Sequence, residues 1–377
     1  MKKTVLDLIP AHIRNLKGYV PGKAARQAQL ESGVAMIKLA SNENPYGPSP
    51  RALEAIHNTA PQVNFYPDND ATELRVELAR RHGLKPEQIF LADGSLGLLD
   101  IIARTLLEPG LNCISSERSF ISYPIVTGAA GGELIPTLMR NDAYDLDAIA
   151  AAINNKTRVL ILANPNNPTG TMFDADATDE FLRRVPEHVL VVLDEAYSDF
   201  ASYFAEGRGI TYSRSMDYVR AGRRNIIVLR TFSKAHGLAG LRIGYGCGDP
   251  ELFQYFGRVR NSFSVSVLAE AAGLAAIRDE GHIRRTVENN AQGAAWLYPQ
   301  FAELGLRAVP TSANFIYFEV DEDADAFSRR MQAEGIIVRS LVPWGIGNGI
   351  RVTIGTPEQN ERFVRALHKV VRQTVAR

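Results

Sequence analysis

The chain has 377 residues, more than one typical domain and enough for two sharing an interface. Its 42 basic and 42 acidic residues cancel, so there is no electrostatic case for binding nucleic acid or an anionic membrane. No apolar run approaches membrane-spanning length and the two cysteines, Cys113 and Cys247, form no metal-spaced pair, so a cytoplasmic enzyme with reduced thiols and no metal site is expected.

The first ten residues do not read as a signal peptide, because Asp7 interrupts their apolar run and Pro10 stops it. Further on, Gln88-Ile89-Phe90-Leu91-Ala92 reads as a strand that leads through Asp93-Gly94-Ser95 into a helical pattern lasting to Leu106. Gly94, Ser95 and Leu96 open that helix, so their backbone amides are free to cradle a phosphate. Val159–Ala163 is an apolar strand that empties into Asn164-Pro165-Asn166-Asn167-Pro168-Thr169-Gly170. Val189–Leu193 is another, delivering Asp194-Glu195-Ala196-Tyr197. A third, Asn225–Arg230, runs into Thr231-Phe232-Ser233-Lys234, and Arg242 follows eight residues after the lysine.

Alternation of apolar strands with helical patterns predicts an α/β fold with a mostly parallel sheet, whose strand ends converge on one crevice. An amine beside two hydroxyls and a guanidinium suits a cofactor carrying an aldehyde and a phosphate, which points to pyridoxal 5′-phosphate. Its pyridine nitrogen needs a carboxylate, and its phenolic oxygen gains from hydrogen-bond donors. Asp194, Tyr197 and Asn167 are of the right types. Towards the C-terminus, residues 262–277 read as helix, and Arg307–Val309 and Asn314–Phe318 as strands of a smaller unit. Residues 357–375 carry helical apolar spacing. Arg351 lies in a β-branched strand, where a guanidinium needs an anionic partner. The basic pairs such as Arg80-Arg81 and Arg223-Arg224 read as solvated faces, and the histidines show no ligand spacing.

Asn164–Gly170, Asp194–Tyr197 and Thr231-Phe232-Ser233-Lys234 with Gly237–Arg242, in this order, resemble the fold-type I pyridoxal-phosphate aminotransferases. Within these the chain is most similar to the histidinol-phosphate aminotransferases. Tyr19–Lys23, Leu39–Pro50, Tyr66-Pro67-Asp68 and Arg351–Thr356 carry that likeness, which extends from about Tyr19 to Glu361.

The resemblance implies a large cofactor-binding domain over 46–265 and a small α/β domain over 266–377 that also takes part of an N-terminal arm, 1–45. It implies that Lys234 carries the cofactor and shuttles the proton. Asp194 would serve the ring nitrogen, and Tyr197 and Asn167 the phenolic oxygen. Thr231, Ser233, Arg242 and the Gly94-Ser95-Leu96 turn would hold the phosphate. Tyr123 would stack on the ring, and Tyr66 would reach the cofactor of a neighbouring subunit in a homodimer with shared sites. Arg351, Arg339, Asn314 and Tyr19 would bind substrate. Relatives often place an acidic residue where Leu96 stands and an aromatic one at His236, for which a packing role is expected here.

The implied reaction is transfer of an amino group from L-histidinol phosphate to 2-oxoglutarate. An aromatic amino-acid aminotransferase would share every cofactor residue, and a decarboxylase of phosphorylated amino acids on the same fold is the remoter alternative.

Overall fold

The computed structural model describes residues 4–18, 30 and 35–375. A seven-stranded sheet forms the larger layer, in the spatial order Ile89–Ala92, Gly244–Cys247, Ile226–Thr231, Leu190–Asp194, Thr157–Ala163, Asn112–Ser116, Glu133–Thr137. Five of these strands run mutually parallel. Gly244–Cys247 is antiparallel to both its neighbours, which leaves Ile89–Ala92 pointing the same way as the five. The carboxyl ends at Ala92, Ala163, Asp194 and Thr231 therefore lie along one edge of the sheet.

The central strands have no polar face because helices cover both sides, as parallel sheets require. Ile226 to Leu229 and Leu190 to Leu193 are buried throughout and anchor the larger hydrophobic core. Gly244 has to be glycine for steric reasons. A Cβ there would stand 2.6 Å from the Ser95 amide nitrogen and 2.9 Å from the Arg230 carbonyl oxygen, so the strand could not approach the turn that starts the Ser95–Leu106 helix.

A second core gathers Leu39 with residues from Ala294 to Val370. Its sheet is antiparallel, with Gly349–Thr353 between Phe315–Glu319 and Arg339–Ser340. The N-terminal pair Ile37–Lys38 adds in parallel to Ile336–Ile337, although some 300 positions separate them. Helices Glu280–Glu303, Ala324–Ala333 and Pro357–Val375 complete this unit. One feature departs from the expected division at 265/266. The helix Val267–Ile277 packs Ala269, Ala272, Ala276 and Ile277 into the larger core, because its small residues sit closely against the helix Pro50–Thr59.

The two cores meet in a smaller cluster where Tyr197, Phe200 and Ala235 pack on Val287, Ala313 and Phe315. Within the second core, the Phe318 ring lies 4.7 Å from Phe301 and within 6.4 Å of Phe327 and Phe363. Phe318→Ala is expected to cost about 3–5 kcal/mol, since the rigid surround cannot collapse into the space. A urea midpoint unchanged from the parent would contradict this packing.

Candidate active site

A cavity of about 270 Å³ opens at the carboxyl edge of the large sheet. Three separate parts of the chain wall it: the sheet's strand ends, the loop Ala40–Glu43, and Arg339, Trp344 and Arg351 from the second unit.

Lys234 follows the strand Ile226–Thr231 by one tight turn. In that turn Thr231 Oγ1 donates to Ser233 Oγ at 3.0 Å and accepts from the Ser233 amide at 3.1 Å. Arg242 Nη1 reaches Ser233 Oγ at 3.5 Å and the Ala239 carbonyl at 3.1 Å. Lys234 Nζ donates to the Ser41 carbonyl at 3.2 Å and lies 5.6 Å from the centre of the Tyr197 ring. Burial, reinforced by repulsion from Arg351, lowers its pKa to about 7.

Asp194 ends the next strand. Its Oδ2 accepts from the Tyr123 hydroxyl at 2.8 Å, while Oδ1 is buried with no hydrogen-bond partner. Burial dominates here too and pushes the carboxyl up to about 6, against the opposing pull of the Tyr123 hydroxyl. Strand alternation sends the next side chain, Glu195, to the other face of the sheet. There it accepts from Arg230 at 2.7 Å and from the Ser213 hydroxyl at 2.7 Å. Tyr197 accepts from Asn42 Nδ2 at 2.9 Å. Arg351 is buried, donating through Nη2 to the Ala40 carbonyl at 2.8 Å and through Nη1 to Asn167 Oδ1.

Gly94 stands at φ +90°, in the region that favours glycine, and a Cβ on it would come within 2.7 Å of Arg242 Nη2. No side-chain hydrogen bond caps the helix that follows, and Ser95 and Leu96 of its first turn line the cavity. The acidic side chain at this helix start is Asp93, which folds over the first turn so closely that any Cβ at residue 97 would meet it.

Lys234, Asp194, Tyr197, Ser95, Leu96, Tyr123, Asn167, Thr231, Ser233, Arg242, Arg339 and Arg351 all line this one cavity. Other expected residues lie elsewhere. Tyr66 is 84% exposed, stacked on Phe263 at 4.8 Å, and Asn314 donates to the Asn42 carbonyl at 3.0 Å rather than lining the wall. Tyr19 falls outside the described residues. Tyr123 spends its hydroxyl on Asp194. His236 is buried against Phe232 at 4.7 Å and does not line the cavity.

Sequence reasoning missed Ser41, Asn42, Phe120 and Trp344 as wall residues. The stretch Leu39–Pro50 is one of the motifs in the sequence, and an asparagine at φ +57° fits its turn, but no local pattern says that it folds over Lys234. Trp344 had one signal, a rare residue in a Pro-Trp-Gly turn between two arginine-bearing strands.

Comparison with known proteins agrees with this geometry. Residues 34–367 match the family model for aminotransferase class I and II. A histidinol-phosphate aminotransferase of Moorella thermoacetica is 45% identical, over 95% of this chain and 92% of its own length. Histidinol-phosphate aminotransferase 2 of Pseudomonas aeruginosa is 43% identical, over 97% and 98%. The chain belongs to the class I and II aminotransferases, in the histidinol-phosphate aminotransferase family. Among solved structures, the Sinorhizobium meliloti histidinol-phosphate aminotransferase in complex with pyridoxal 5′-phosphate is similar with a TM-score of 0.85 and 28% identity, covering 97% of each chain. Aspartate aminotransferase from Thermus thermophilus shares the fold, with a TM-score of 0.80 at 21% identity.

This aminotransferase depends on pyridoxal 5′-phosphate, and its cavity fits that group. The partnerless Asp194 Oδ1 suits a protonated ring nitrogen. The hydroxyls of Thr231 and Ser233, the Arg242 guanidinium and the uncapped helix start suit a phosphate. Among the described residues no group of side chains could hold a metal ion, and no helix is long and apolar enough to cross a membrane.

Two outcomes follow from the buried charges. Glu195→Gln leaves the half-buried Arg230 without its carboxylate and is expected to cost about 3 kcal/mol in denaturant unfolding; Arg230→Met in the same background should recover part of the loss. For protein prepared without cofactor, Asp194 binds its proton more tightly folded than unfolded. Its contribution should therefore make stability fall as pH rises from 3.8 to about 6. Lys234, with its pKa lowered from 10.5 to about 7, should make stability rise between those values. Melting curves of Asp194→Asn and Lys234→Met that keep both slopes would refute these assignments.

Proposed function

We propose that this aminotransferase takes the amino group from L-histidinol phosphate, giving imidazole acetol phosphate, and passes it to 2-oxoglutarate, giving L-glutamate. The observation that carries this reading is the pair Arg339 and Arg351, directly opposite each other on antiparallel strands and both lining the cavity that contains Lys234. Two guanidiniums suit a distal phosphate, and the named relatives at 43% and 45% identity are histidinol-phosphate aminotransferases.

Pyridoxal 5′-phosphate, when bound, supplies an electron sink for the charge left as the substrate Cα loses its proton. Lys234 would hold the cofactor through its amine, and its Nζ is the group that would carry the proton lost from the substrate Cα. A lysine pushed down to about 7 can do this near neutral pH. Asp194 would hold the ring nitrogen in its protonated form, and Tyr197 and Asn167 would serve the phenolic oxygen. Thr231, Ser233, Arg242 and the amides from Gly94 to Leu96 neutralise the phosphate. Phe120, rather than Tyr123, is the better candidate for the ring's stacking wall. Both rings line the cavity, but the Tyr123 hydroxyl is committed to Asp194, whereas Phe120, edge-on to Tyr123 at 5.6 Å, has no such tie. Arg351 and Arg339 receive the distal anion, first a phosphate and then a carboxylate. Asn314 acts by bracing the Asn42 loop, and Tyr19 is assigned to substrate from sequence alone.

The proposed assembly is a homodimer in the cytoplasm, with an N-terminal arm, a large cofactor domain and a small domain, and with Tyr66 serving the neighbour's phosphate. Exposure of Val63 (62%), Phe65 (68%) and Tyr66 (84%) beside one another supports a second copy covering this face. Turnover of L-histidinol phosphate should greatly exceed that of L-phenylalanine, measured as glutamate formed; the reverse order would favour the aromatic amino-acid reading. Lys234→Ala and Tyr66→Ala subunits, each strongly impaired, should regain a minority of parental activity after dissociation and mixing, because one site of each heterodimer retains both residues. No recovery despite demonstrated subunit exchange would rule out shared sites.

A further inference from the structure

Trp344 is one of only two tryptophans in the chain and stands where the two units and the two arginines meet. It closes the 3₁₀ turn Val342–Trp344, between the strand bearing Arg339 and the strand bearing Arg351. Its indole Nε1 donates to the Ser119 carbonyl at 2.8 Å, so it reaches from the smaller unit to the loop that carries Phe120. Its ring lies 5.3 Å from Arg339 Cζ and 6.0 Å from Arg351 Cζ, and all three side chains line the cavity.

Two like charges directly opposite on adjacent strands repel each other. An aromatic face against both guanidiniums offsets part of that repulsion and restrains where each can point. With both cations held towards the same space, the attraction for a ligand grows with the ligand's charge, so a dianion gains more than a carboxylate does. Arg351 is already held by its bonds to the Ala40 carbonyl and Asn167, so the indole face adds its restraint chiefly to Arg339, whose Cζ is the nearer of the two.

We propose that Trp344 is a specificity-determining residue: set against Arg339 and at the edge of Arg351, which also meets Phe315 at 5.2 Å, and tethered to Ser119, it helps hold the two guanidiniums as one dianion-binding wall that selects amino donors ending in a phosphate monoester. This rests on the reading of the donor as L-histidinol phosphate and deepens it.

Two variants of the holoenzyme separate the parts of the idea. Trp344→Leu removes both the ring and the tether, whereas Trp344→Phe keeps a ring and loses only the hydrogen bond. In Trp344→Leu, KM for L-histidinol phosphate should rise about tenfold more than KM for 2-oxoglutarate, with Trp344→Phe between it and the parent. Calorimetric titration at pH 8 should show the same loss of preference for inorganic phosphate over acetate. Equal changes for the two substrates, or an unaltered preference for phosphate over acetate in both variants, would overturn the proposal. Failure of the unmodified enzyme to use L-histidinol phosphate would instead overturn the functional reading, and the phosphate–acetate comparison would still decide the wall. If Trp344→Leu does not fold, Trp344→Phe carries the test: parental values in both measurements would exclude a role for the tether.

Discussion

The Arg351 guanidinium donates to the Ala40 carbonyl and to Asn167 Oδ1, and so ties together three stretches of chain that are far apart in sequence. One is the N-terminal loop, one the turn after a strand of the large sheet, and one the middle strand of the small sheet. Both terminal nitrogens of the buried guanidinium find acceptors, one in each of the other two stretches, so a single group's hydrogen bonds join the cavity's three walls. The same bonds place a cation on the cavity surface. Closure of the site and recognition of an anion therefore depend on the same residue.

Around that cation the electrostatics are arranged in layers. Burial pushes Asp194 up to about 6 and Lys234 down to about 7, so desolvation works against the charged form of both groups. A cationic ring nitrogen against Asp194 would supply the counter-charge that its buried carboxylate lacks, while Arg242, exposed at the cavity edge, would meet an anionic phosphate. The cofactor is thus expected to bind a site whose charges are costly without it, and part of its affinity comes from relieving that cost. Behind the sheet, Arg230 and the Ser213 hydroxyl satisfy Glu195, which would otherwise add a second uncompensated carboxylate next to Asp194 in the chain.

The part of the candidate cofactor site that was legible in the sequence is the part at strand ends, because Asp194, Thr231, Ser233 and Lys234 end or closely follow a recognisable apolar strand. Parallel strands bring their carboxyl ends to one edge, so Ala92, Ala163, Asp194 and Thr231 had to converge once the sheet was parallel. The fold class followed from the same alternation. Local patterns could not place residues whose position is set by a distant partner. Asn42 is held by Tyr197 and Thr353, Trp344 by Ser119, and the helix Val267–Ile277 by the Pro50–Thr59 helix of the larger core.

By itself the sequence determined which chemistry is available: a lysine, a carboxylate, hydroxyls and a guanidinium, each at the end of a strand or the start of a helix. Tertiary structure decided which of these face one another and what state they are in. It turned Tyr123 towards Asp194, left Tyr66 on an exposed surface, and set Arg339 and Arg351 in register within 6.0 Å of one indole ring. The reason is physical. Strand periodicity and turn chemistry are encoded over a few residues, whereas burial, which sets the protonation of Asp194 and Lys234, depends on contacts between parts of the chain hundreds of positions apart.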